Sequence, residues 1–366
     1  MKRGIIMKTR KILSLVLVAV MMMSTMSIFS IGASADGAWD GKTADMSWFT
    51  KDKTAKSFEI GTAEQLYGLS VYVASITKTR TINNDGMIYL DANNKVIFDV
   101  AKIAEAKDVI DSNAEGWSNG YSVKLTADID LGGHEFMPLG TSYAFMANFD
   151  GNGKTVKNFS IGEAGAIHTD IKNQRYYGFF GYLCGEVKDL TLENVTINIS
   201  DINPANDVYL VLAGGLAATT WANNAASAAK NCKINGLTIN FDPAGNISVK
   251  DYNDIKIGAA IGRLENGTEN SVVVTDFTFN NKNTTEGINV QMAESMLYGA
   301  AVNAQTTPNF SANSSVTLKQ AAPEQPGETP EQPGETPDTG DMTFAVVAVA
   351  VAAVMCSALV LKKREN

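Results

Sequence analysis

The sequence contains few residues of the types that most often carry out catalysis or bind metals. Its 366 residues include three cysteines and two histidines, and no C-x-x-C pair, H-E-x-x-H sequence or G-x-x-x-x-G-K-[ST] loop occurs. Between residues 36 and 339 the only arginines are Arg80, Arg175 and Arg263. These absences argue against a sulfur-ligated metal site and a phosphate-binding loop, and we expect no bound cofactor.

Cysteine is too rare for a framework of disulfide bonds. Cys356 lies in an apolar run near the C-terminus, which leaves Cys184 and Cys232. These two residues fit either of two interpretations, a disulfide bond in an oxidising compartment or two buried free thiols.

Basic side chains are also scarce in the central part of the chain. Residues 36–339 contain 37 acidic and 22 basic side chains, a formal charge of −15. A negative surface of this size repels phosphate groups, so we exclude nucleic acid as a partner. The length and apolar content suffice for one large domain.

The N-terminus has the three parts of a secretory signal. Five basic residues lie within residues 1–11, an apolar run extends to Gly32, and Ala33 and Ala35 occupy the positions that signal peptidase recognises. We therefore predict a signal peptide, residues 1–35, that is removed after Ala35. The alternative is an uncleaved membrane helix, which the hydroxyl side chains late in the apolar run disfavour.

The C-terminus has a second apolar segment, residues 342–361, which is long enough to cross a bilayer as a helix. A basic tail follows it, and the pentapeptide Thr336-Pro337-Asp338-Thr339-Gly340 precedes it. Together these parts resemble the sorting signal of wall-anchored proteins of Gram-positive bacteria, over residues 336–366. Residues 321–337, rich in proline and glutamate, are predicted to be an extended spacer.

The resemblance implies a specific processing reaction. A sortase thiolate attacks the carbonyl carbon of Thr339, the bond to Gly340 breaks, and an amine of the peptidoglycan precursor accepts the acyl group. The protein is then secreted and covalently attached to the wall, and it meets the membrane only through its C-terminal segment before sorting. The family usually has Leu where this chain has Thr336, which leaves the sortase class open. A plain C-terminal membrane anchor on the cell surface is the alternative.

A six-residue pattern occurs four times in the central region. Its copies VKNFSI, VKDLTL, INGLTI and VTDFTF begin at Val156, Val187, Ile234 and Val274. Positions 1, 4 and 6 are apolar, and a bend at the Asn, Asp or Gly of position 3 lets all three point inward. Each unit is therefore predicted to be strand, corner, strand. The intervals of 31, 47 and 40 residues suggest more than one coil per repeat.

Patches of small residues lie between these units and permit close stacking of successive layers. They are YGFFGYL, AGGLAAT, GAAIGRL and GAAVNA, beginning at Tyr177, Ala213, Gly258 and Gly299. With these patches the repeats resemble the GLUG-motif surface proteins, whose repeats form a right-handed parallel β-helix of the pectate-lyase-like type. The resemblance implies an all-β solenoid whose coils share one core. An antiparallel sandwich is the alternative fold.

The region before the repeats is predicted to contain a capping helix, an insertion and a strand. Residues 61–75 indicate a helix with a capping box between Thr62 and Gln65, which would cover the open end of the coils. Residues 80–120 indicate a small inserted α/β region with a short helix at 100–112. Residues 121–131 alternate apolar and polar side chains, as a half-buried strand does. The predicted boundaries are 36–57 for an N-terminal segment and 58–320 for the β-helix.

Candidate site residues are few. Asp128 and Asp130 lie on one face of the predicted strand, about 7 Å apart by strand rise. They are weak candidates for acid–base catalysis on a glycosidic bond or for Ca²⁺ binding, and an ordinary solvated strand face is the alternative. Aromatic side chains can stack on sugar rings or pack in the core, and the candidates are Trp39, Trp48, Trp117, Trp221, Tyr176, Tyr177 and Tyr252.

These features predict a wall-anchored surface protein of a Gram-positive bacterium that acts as an adhesin, binding a glycan or a host surface protein. Its partners are then signal peptidase, a sortase with the peptidoglycan precursor, and that ligand. A carbohydrate-active enzyme on the same scaffold, a polysaccharide lyase or a glycosidase, is the runner-up. A purely structural wall component is the third interpretation.

Overall fold

The computed structural model describes residues 38–76, 86–112, 120–141, 143–162, 174–200, 210–220, 227–243, 254–265, 269–282, 290–301 and 309–319. All of them belong to one unit of the chain, residues 1–320. The predicted signal peptide, spacer and sorting signal lie outside the described residues. Among the described residues, no helix has both the length and the apolar character needed to cross a membrane.

About half of the described chain is β-strand, far more than is helix, and its four main sheets contain only parallel strands. Sheet I consists, in hydrogen-bonded order, of β1 (Ser57–Ile60), β4 (Ser122–Leu125), β6 (Asn148–Asp150), β10 (Glu186–Lys188) and β14 (Ala228–Lys230). Sheet II consists of β5 (Ile129–Asp130), β7 (Thr155–Ile161), β11 (Thr191–Ile199), β15 (Cys232–Phe241), β18 (Val272–Asn281) and β21 (Ser315–Leu318).

Two four-stranded sheets complete this part of the chain. Sheet III consists of β8 (Gln174–Tyr177), β12 (Leu210–Gly214), β16 (Asp254–Gly258) and β19 (Val290–Gln291). Sheet IV consists of β9 (Phe180–Leu183), β13 (Ala217–Thr220), β17 (Ile261–Leu264) and β20 (Tyr298–Ala301). Parallel pairing throughout sheets I to IV excludes the antiparallel sandwich.

The chain passes through these sheets in a fixed order. From β6 onwards it visits sheets I, II, III and IV three times, as β6 to β9, β10 to β13 and β14 to β17. A fourth passage, β18 to β20, visits sheets II to IV, and β21 returns to sheet II. Each strand of one passage pairs in parallel with its counterpart in the next.

The repeat units pair directly with one another, one unit per passage. In sheet II, Val156 pairs with Leu192, Leu192 with Ile234, and Ile234 with Val274. The counterpart of VKNFSI is therefore LENVTI, beginning at Leu192, and the intervals between these four residues become 36, 42 and 40. The prediction of more than one coil per repeat is wrong.

The bend at position 3 is confirmed. Asn158, Asn194, Gly236 and Asp276 all have positive φ, between 53° and 74°. VKDLTL marks a different corner that has the same requirements, since Asp189 has a φ of 50° between strands of sheets I and II. Asn, Asp and Gly recur at both corners because they tolerate the left-handed conformation at low cost.

Inward-facing side chains from all four sheets belong to one hydrophobic core. Phe159, Leu190, Leu237 and Phe277 are all at most 2% exposed and lie in the same cluster. At the corner between sheets III and IV, a Cβ on Gly214 would meet the backbone oxygen of Ala217 and the amide nitrogen of Gly262 in the next passage. This confirms that the small residues permit close stacking. GAAVNA is out of register, however, because Arg263 pairs with Ala300.

The predicted N-terminal helix is confirmed, and a single-turn helix, α1 (Ser47–Thr50), precedes it. The helix α2 covers Ala63–Ser75, with Thr62 accepting a hydrogen bond from the backbone N–H of Gln65, while Gln65 Oε1 accepts one from Gly61. Its Leu66, Leu69, Tyr72 and Val73 belong to the same core as the sheets.

The strand predicted at 121–131 is two strands, β4 in sheet I and β5 in sheet II, although its alternation of buried and exposed residues holds.

In the insertion, β2 (Met87–Leu90) pairs antiparallel with β3 (Asp108–Asp111). The prediction of a helix at 100–112 is correct only for its first part, where a 3-10 helix covers Val100–Glu105. The rest of the prediction is wrong. Ile110 pairs with Ile88, and burial of both side chains favours a strand there.

Candidate functional site

The outer face of sheet II carries two rows of uncharged polar side chains. The hydroxyl row is Ser160, Thr196, Thr238 and Thr278, and the amide row, two residues further along, is Asn198, Asn240 and Asn280. We call these seven residues the hydroxyl–amide array. All are at least partly exposed, whereas Ile197 and Ile239 between the rows are fully buried. Strand alternation therefore sends the isoleucines into the core and the polar pair outward.

The array is in register across four strands. β7, β11, β15 and β18 pair without a shift along these rows. Neighbouring residues in a row are therefore one strand spacing apart, about 4.8 Å, and the two rows are about 7 Å apart. The register shifts between β18 and β21, so the regular array ends at β18.

The amide row is ordered by its own hydrogen bonds. Asn240 Nδ2 donates to Asn198 Oδ1 at 2.9 Å, and Asn280 Nδ2 donates to Asn240 Oδ1 at 2.8 Å. Each amide keeps further donor and acceptor capacity for another partner. The four side chains of the hydroxyl row make no hydrogen bond within the described part of the chain. The array therefore offers ordered amides beside uncommitted hydroxyls.

Ion pairs lie at both sides of the array. Lys282 Nζ lies 3.0 Å from Asp242 Oδ2, next to the amide row, and Lys157 Nζ lies 3.5 Å from Asp130 Oδ2 near the other side. Each of these lysines has its charge compensated by an adjacent carboxylate. The array itself is electrically neutral.

Both predicted carboxylates lie on the exposed face and accept hydrogen bonds from neighbouring chain. Asp128 Oδ1 accepts from the amide of Thr155 at 2.8 Å. Asp130 accepts from Asn158 Nδ2 at 2.9 and 3.0 Å and from the amide of Gly132 at 2.9 Å. These bonds join the first strands of sheet II.

Burial alone would raise the pKa of Asp130, but the hydrogen bonds from Asn158 and Gly132 and the charge of Lys157 outweigh it and lower that pKa overall. A lowered pKa suits a hydrogen-bond acceptor and does not suit the general acid that glycoside hydrolysis requires. Within the described residues no group of three or more potential ligand side chains could hold a metal ion.

The described aromatic candidates are packing residues. Trp39, Trp48, Tyr176 and Tyr177 are between 0% and 6% exposed. Trp117, Trp221 and Tyr252 lie outside the described residues. His134 packs edge-on against Trp39, with ring centroids 5.8 Å apart.

A second polar group lies where sheets III and IV meet. Phe179 at this corner stacks on Phe136 inside the core, while Tyr176 and Tyr182 pack edge to face at 5.9 Å on the other side. Tyr182 also belongs to a group of polar side chains at this corner. We call this group the corner cluster and define it as Tyr182, Thr219, Lys256, Arg263 and Glu265. Outward-facing side chains of the two sheets therefore converge on one another.

Glu265 is the centre of the corner cluster. It forms an ion pair with Arg263, and its carboxylate accepts from Tyr182 Oη and from Thr219 Oγ1, both at 3.4 Å. Arg263 Nε donates to Thr219 Oγ1 at 3.4 Å. The side chains of Arg263 and Glu265 are only 18% and 10% exposed, so their charges are poorly solvated.

Burial lowers the pKa of Lys256 to about 8, with the Arg263 charge adding to this effect and the Glu265 charge opposing it. Burial and the Glu265 charge raise the pKa of Tyr182. A lysine with a pKa near 8 is mostly protonated at neutral pH and gives up its proton more readily than an ordinary lysine, so the cluster contains a group suited to proton transfer.

Cys184 and Cys232 are both buried and neither forms a disulfide bond, so the interpretation as buried thiols is confirmed. Burial raises the pKa of each thiol to about 12, assisted at Cys184 by the nearby charge of Glu265. Such thiols are neutral at physiological pH and poor nucleophiles.

Sequence analysis missed both polar groups. The array has a signal in the sequence, because Thr-x-Asn occurs at 196–198, 238–240 and 278–280. That these side chains point outward and align in rows depends on the strand register, which the sequence does not show. The corner cluster has no local signal. Tyr182, Thr219 and Arg263 come from three successive passages and meet only because β9, β13 and β17 stack.

Comparison with known proteins identifies no relative. No protein-family model, no curated protein and no solved structure matches the chain. A function is therefore proposed below from the predicted sorting signal and from the two polar groups.

Proposed function

We propose that this protein is an adhesin of the Gram-positive cell wall, and that its described part is a right-handed parallel β-helix that binds a glycan or a host surface protein. The fixed order of sheets, the in-register parallel pairing and the single core support the solenoid. Right-handed connection is the usual hand for parallel strands. The side chains of α2 belong to the same hydrophobic core as those of β1 and β4, which supports its role as the cap of the first coil.

Attachment to the wall rests on the sequence features at the two ends of the chain. Signal peptidase removes residues 1–35, and a sortase joins Thr339 to the peptidoglycan precursor. The test is to digest the wall with a muramidase and measure the mass of the released protein. We expect a C-terminus at Thr339 that carries a wall fragment. A released chain that still contains Met342 and the residues after it would contradict sorting and favour the membrane anchor.

The hydroxyl–amide array is the observation that carries the binding function. It is partly exposed, uncharged and in register over four strands, and it leaves hydrogen-bonding groups uncommitted. The test is to probe arrays of glycans and of host surface proteins with the wall-released protein. Specific retention on one class of ligand is the expected result. No retention on either array would reject the adhesin and favour a structural wall component.

The corner cluster supports a second candidate, a carbohydrate-active enzyme. Lys256 with its lowered pKa, the poorly solvated Arg263–Glu265 pair and Tyr182 provide groups that can transfer a proton. The test is to incubate the protein with a panel of polysaccharides and measure new reducing or unsaturated ends. Turnover that Glu265→Gln abolishes would replace the adhesin by an enzyme at the corner cluster. Turnover that instead requires Asp128 and Asp130 would place the reaction on sheet II.

A further inference from the structure

We propose that the hydroxyl–amide array binds a neutral, unbranched β-1,4-linked glycan that runs across the strands of sheet II, with about one sugar residue to each strand. This inference rests on the proposed binding function. It adds the class of ligand, its direction on the surface and the length it must have.

The spacing of the array carries the direction of the glycan. Residues within a row repeat at the strand spacing of about 4.8 Å, which is close to the advance of an extended β-1,4-linked chain per sugar. The two rows, about 7 Å apart, lie far enough from each other to reach both long edges of such a ribbon. A glycan parallel to the strands would instead meet the array at one or two sugars only.

The chemistry of the array suits the hydroxyl groups of sugars. A threonine hydroxyl both donates and accepts, and an asparagine amide does both through separate atoms. The hydroxyls of Thr196, Thr238 and Thr278 have no partner within the described residues. The amides of Asn198, Asn240 and Asn280 are held in place by their own hydrogen bonds. Binding therefore orders few side chains, since threonine is stiff at χ1 and the amides are already fixed.

The charge of the surface selects a neutral glycan over an anionic one. The array carries no charge, and Lys157 and Lys282 beside it are already paired with Asp130 and Asp242. The central region of the chain carries a formal charge of −15, so a polyuronate would be repelled. A host protein is less suited, because the array presents hydroxyls and amides and no large apolar or aromatic side chain for a protein interface.

The number of strands that carry the array predicts how the affinity depends on glycan length. Each sugar makes a few hydrogen bonds that replace hydrogen bonds to water, so one sugar contributes little net binding free energy. The affinity must therefore come from several strands of the array at once. Four strands carry the hydroxyl row, from Ser160 to Thr278. We expect the affinity to rise about tenfold from a disaccharide to a tetrasaccharide and to change little beyond about six sugars.

The experiment uses the full chain displayed on a Gram-positive host that encodes a sortase, with the surface amount measured by antibody. The probes are cellulose and chitin particles, their soluble oligosaccharides, and polygalacturonate as an anionic glycan. The principal variant is Thr196→Val, Thr238→Val and Thr278→Val combined, which keeps the branched shape and removes the hydroxyls. A second variant, Asn240→Asp, places one charge in the centre of the array.

The matched control is Thr191→Val, a partly exposed threonine of the same strand β11 that lies before the bend at Asn194 and outside both rows. We expect the triple variant and Asn240→Asp each to reduce retention on at least one neutral particle about tenfold, and Thr191→Val to change it by less than about twofold. Equal retention of the triple variant, absence of length dependence, or stronger binding to polygalacturonate would overturn the proposal.

The outcomes also separate this inference from the function on which it rests. If the unaltered protein binds a host protein or another glycan but none of these probes, the inference is wrong and the adhesin stands. If it binds no ligand on any array, both are wrong.

Discussion

Asn194 donates its side-chain Nδ2 to Oδ1 of Asn158 at 3.0 Å, from one passage of the chain to the previous one. Both residues have left-handed backbone conformations, with φ of 53° and 57°. Asn158 in turn donates to Asp130. One side chain thus satisfies two requirements, a tolerated positive φ and a bond between neighbouring strands.

This relationship predicts different effects for two substitutions of Asn194. Asn194→Gly keeps the backbone conformation and loses only the hydrogen bond, so we expect about 1 kcal/mol lower free energy of unfolding. Asn194→Ala loses the same hydrogen bond and also puts in the left-handed region a residue without the short polar side chain that makes Asn tolerable there, so we expect about 2 to 3 kcal/mol. Urea denaturation followed by circular dichroism measures both. Equal losses for the two variants would mean that the backbone conformation is unimportant.

Leu237 tests the shared core. It is 0% exposed at position 4 of its unit, between Val195 and Phe277 in neighbouring passages. Leu237→Ala leaves a cavity inside the stack, and we expect the free energy of unfolding to fall by about 2 to 5 kcal/mol. Thr238→Ala, the next residue and outward-facing, should change it by less than about 0.5 kcal/mol. Comparable losses in both variants would contradict the assignment of inner and outer faces.

Lys256 predicts a dependence of stability on pH. Its pKa is about 8 in the folded protein and 10.5 in the reference state. Below pH 8 the lysine is charged in both states, and folding must bury the charge. As the pH rises from about 8 to 10.5, the folded state loses this proton before the unfolded state, so the destabilisation disappears.

We therefore expect Lys256→Met to raise the free energy of unfolding at pH 7 by about 1 to 3 kcal/mol, and this gain to vanish by about pH 11. Denaturant titrations at several pH values measure it. Lys282→Met is the control, because this lysine is 66% exposed and should have an effect below about 0.5 kcal/mol at every pH. A gain that does not depend on pH would show that packing, and not charge burial, is responsible.

The two buried thiols give a chemical test of the fold. Cys184 and Cys232 are buried and outside any disulfide bond, with pKa values raised to about 12. A thiol reagent at pH 8 should therefore label neither residue in the folded protein, and both after denaturation. Mass spectrometry counts the labels. Rapid labelling before denaturation, or a disulfide-linked mass after it, would disagree with this packing.

Features that depend on nearby residues could be predicted from the sequence. The capping box of Thr62 and Gln65, the left-handed bends at Asn158 and Asp276, and the alternation from Tyr121 to Leu131 all involve residues a few positions apart. Their geometry follows from local sterics and local hydrogen bonds. Likewise, the pattern of apolar positions was sufficient to predict which side chains enter the core.

Pairing between distant residues could not be predicted in the same way. VKDLTL and LENVTI both satisfy the repeat pattern, because two corners of the chain require the same residue types, and only strand pairing shows that Leu192 is the partner of Val156. Residues 106–112 lack a local signal against helix, yet burial of Ile110 against Ile88 makes part of them a strand.

By itself, the sequence determined the inward and outward residues, the bends and the N-terminal helix, since each depends on spacing along the chain. Only the tertiary structure decided the register of the strands. The register determines which polar side chains become neighbours on the surface. It places Thr196 beside Thr238 and Thr278 in one row, and it brings Tyr182 to Glu265, 83 residues away. Such neighbours are set by the free energy of packing successive layers, which no short stretch of sequence contains.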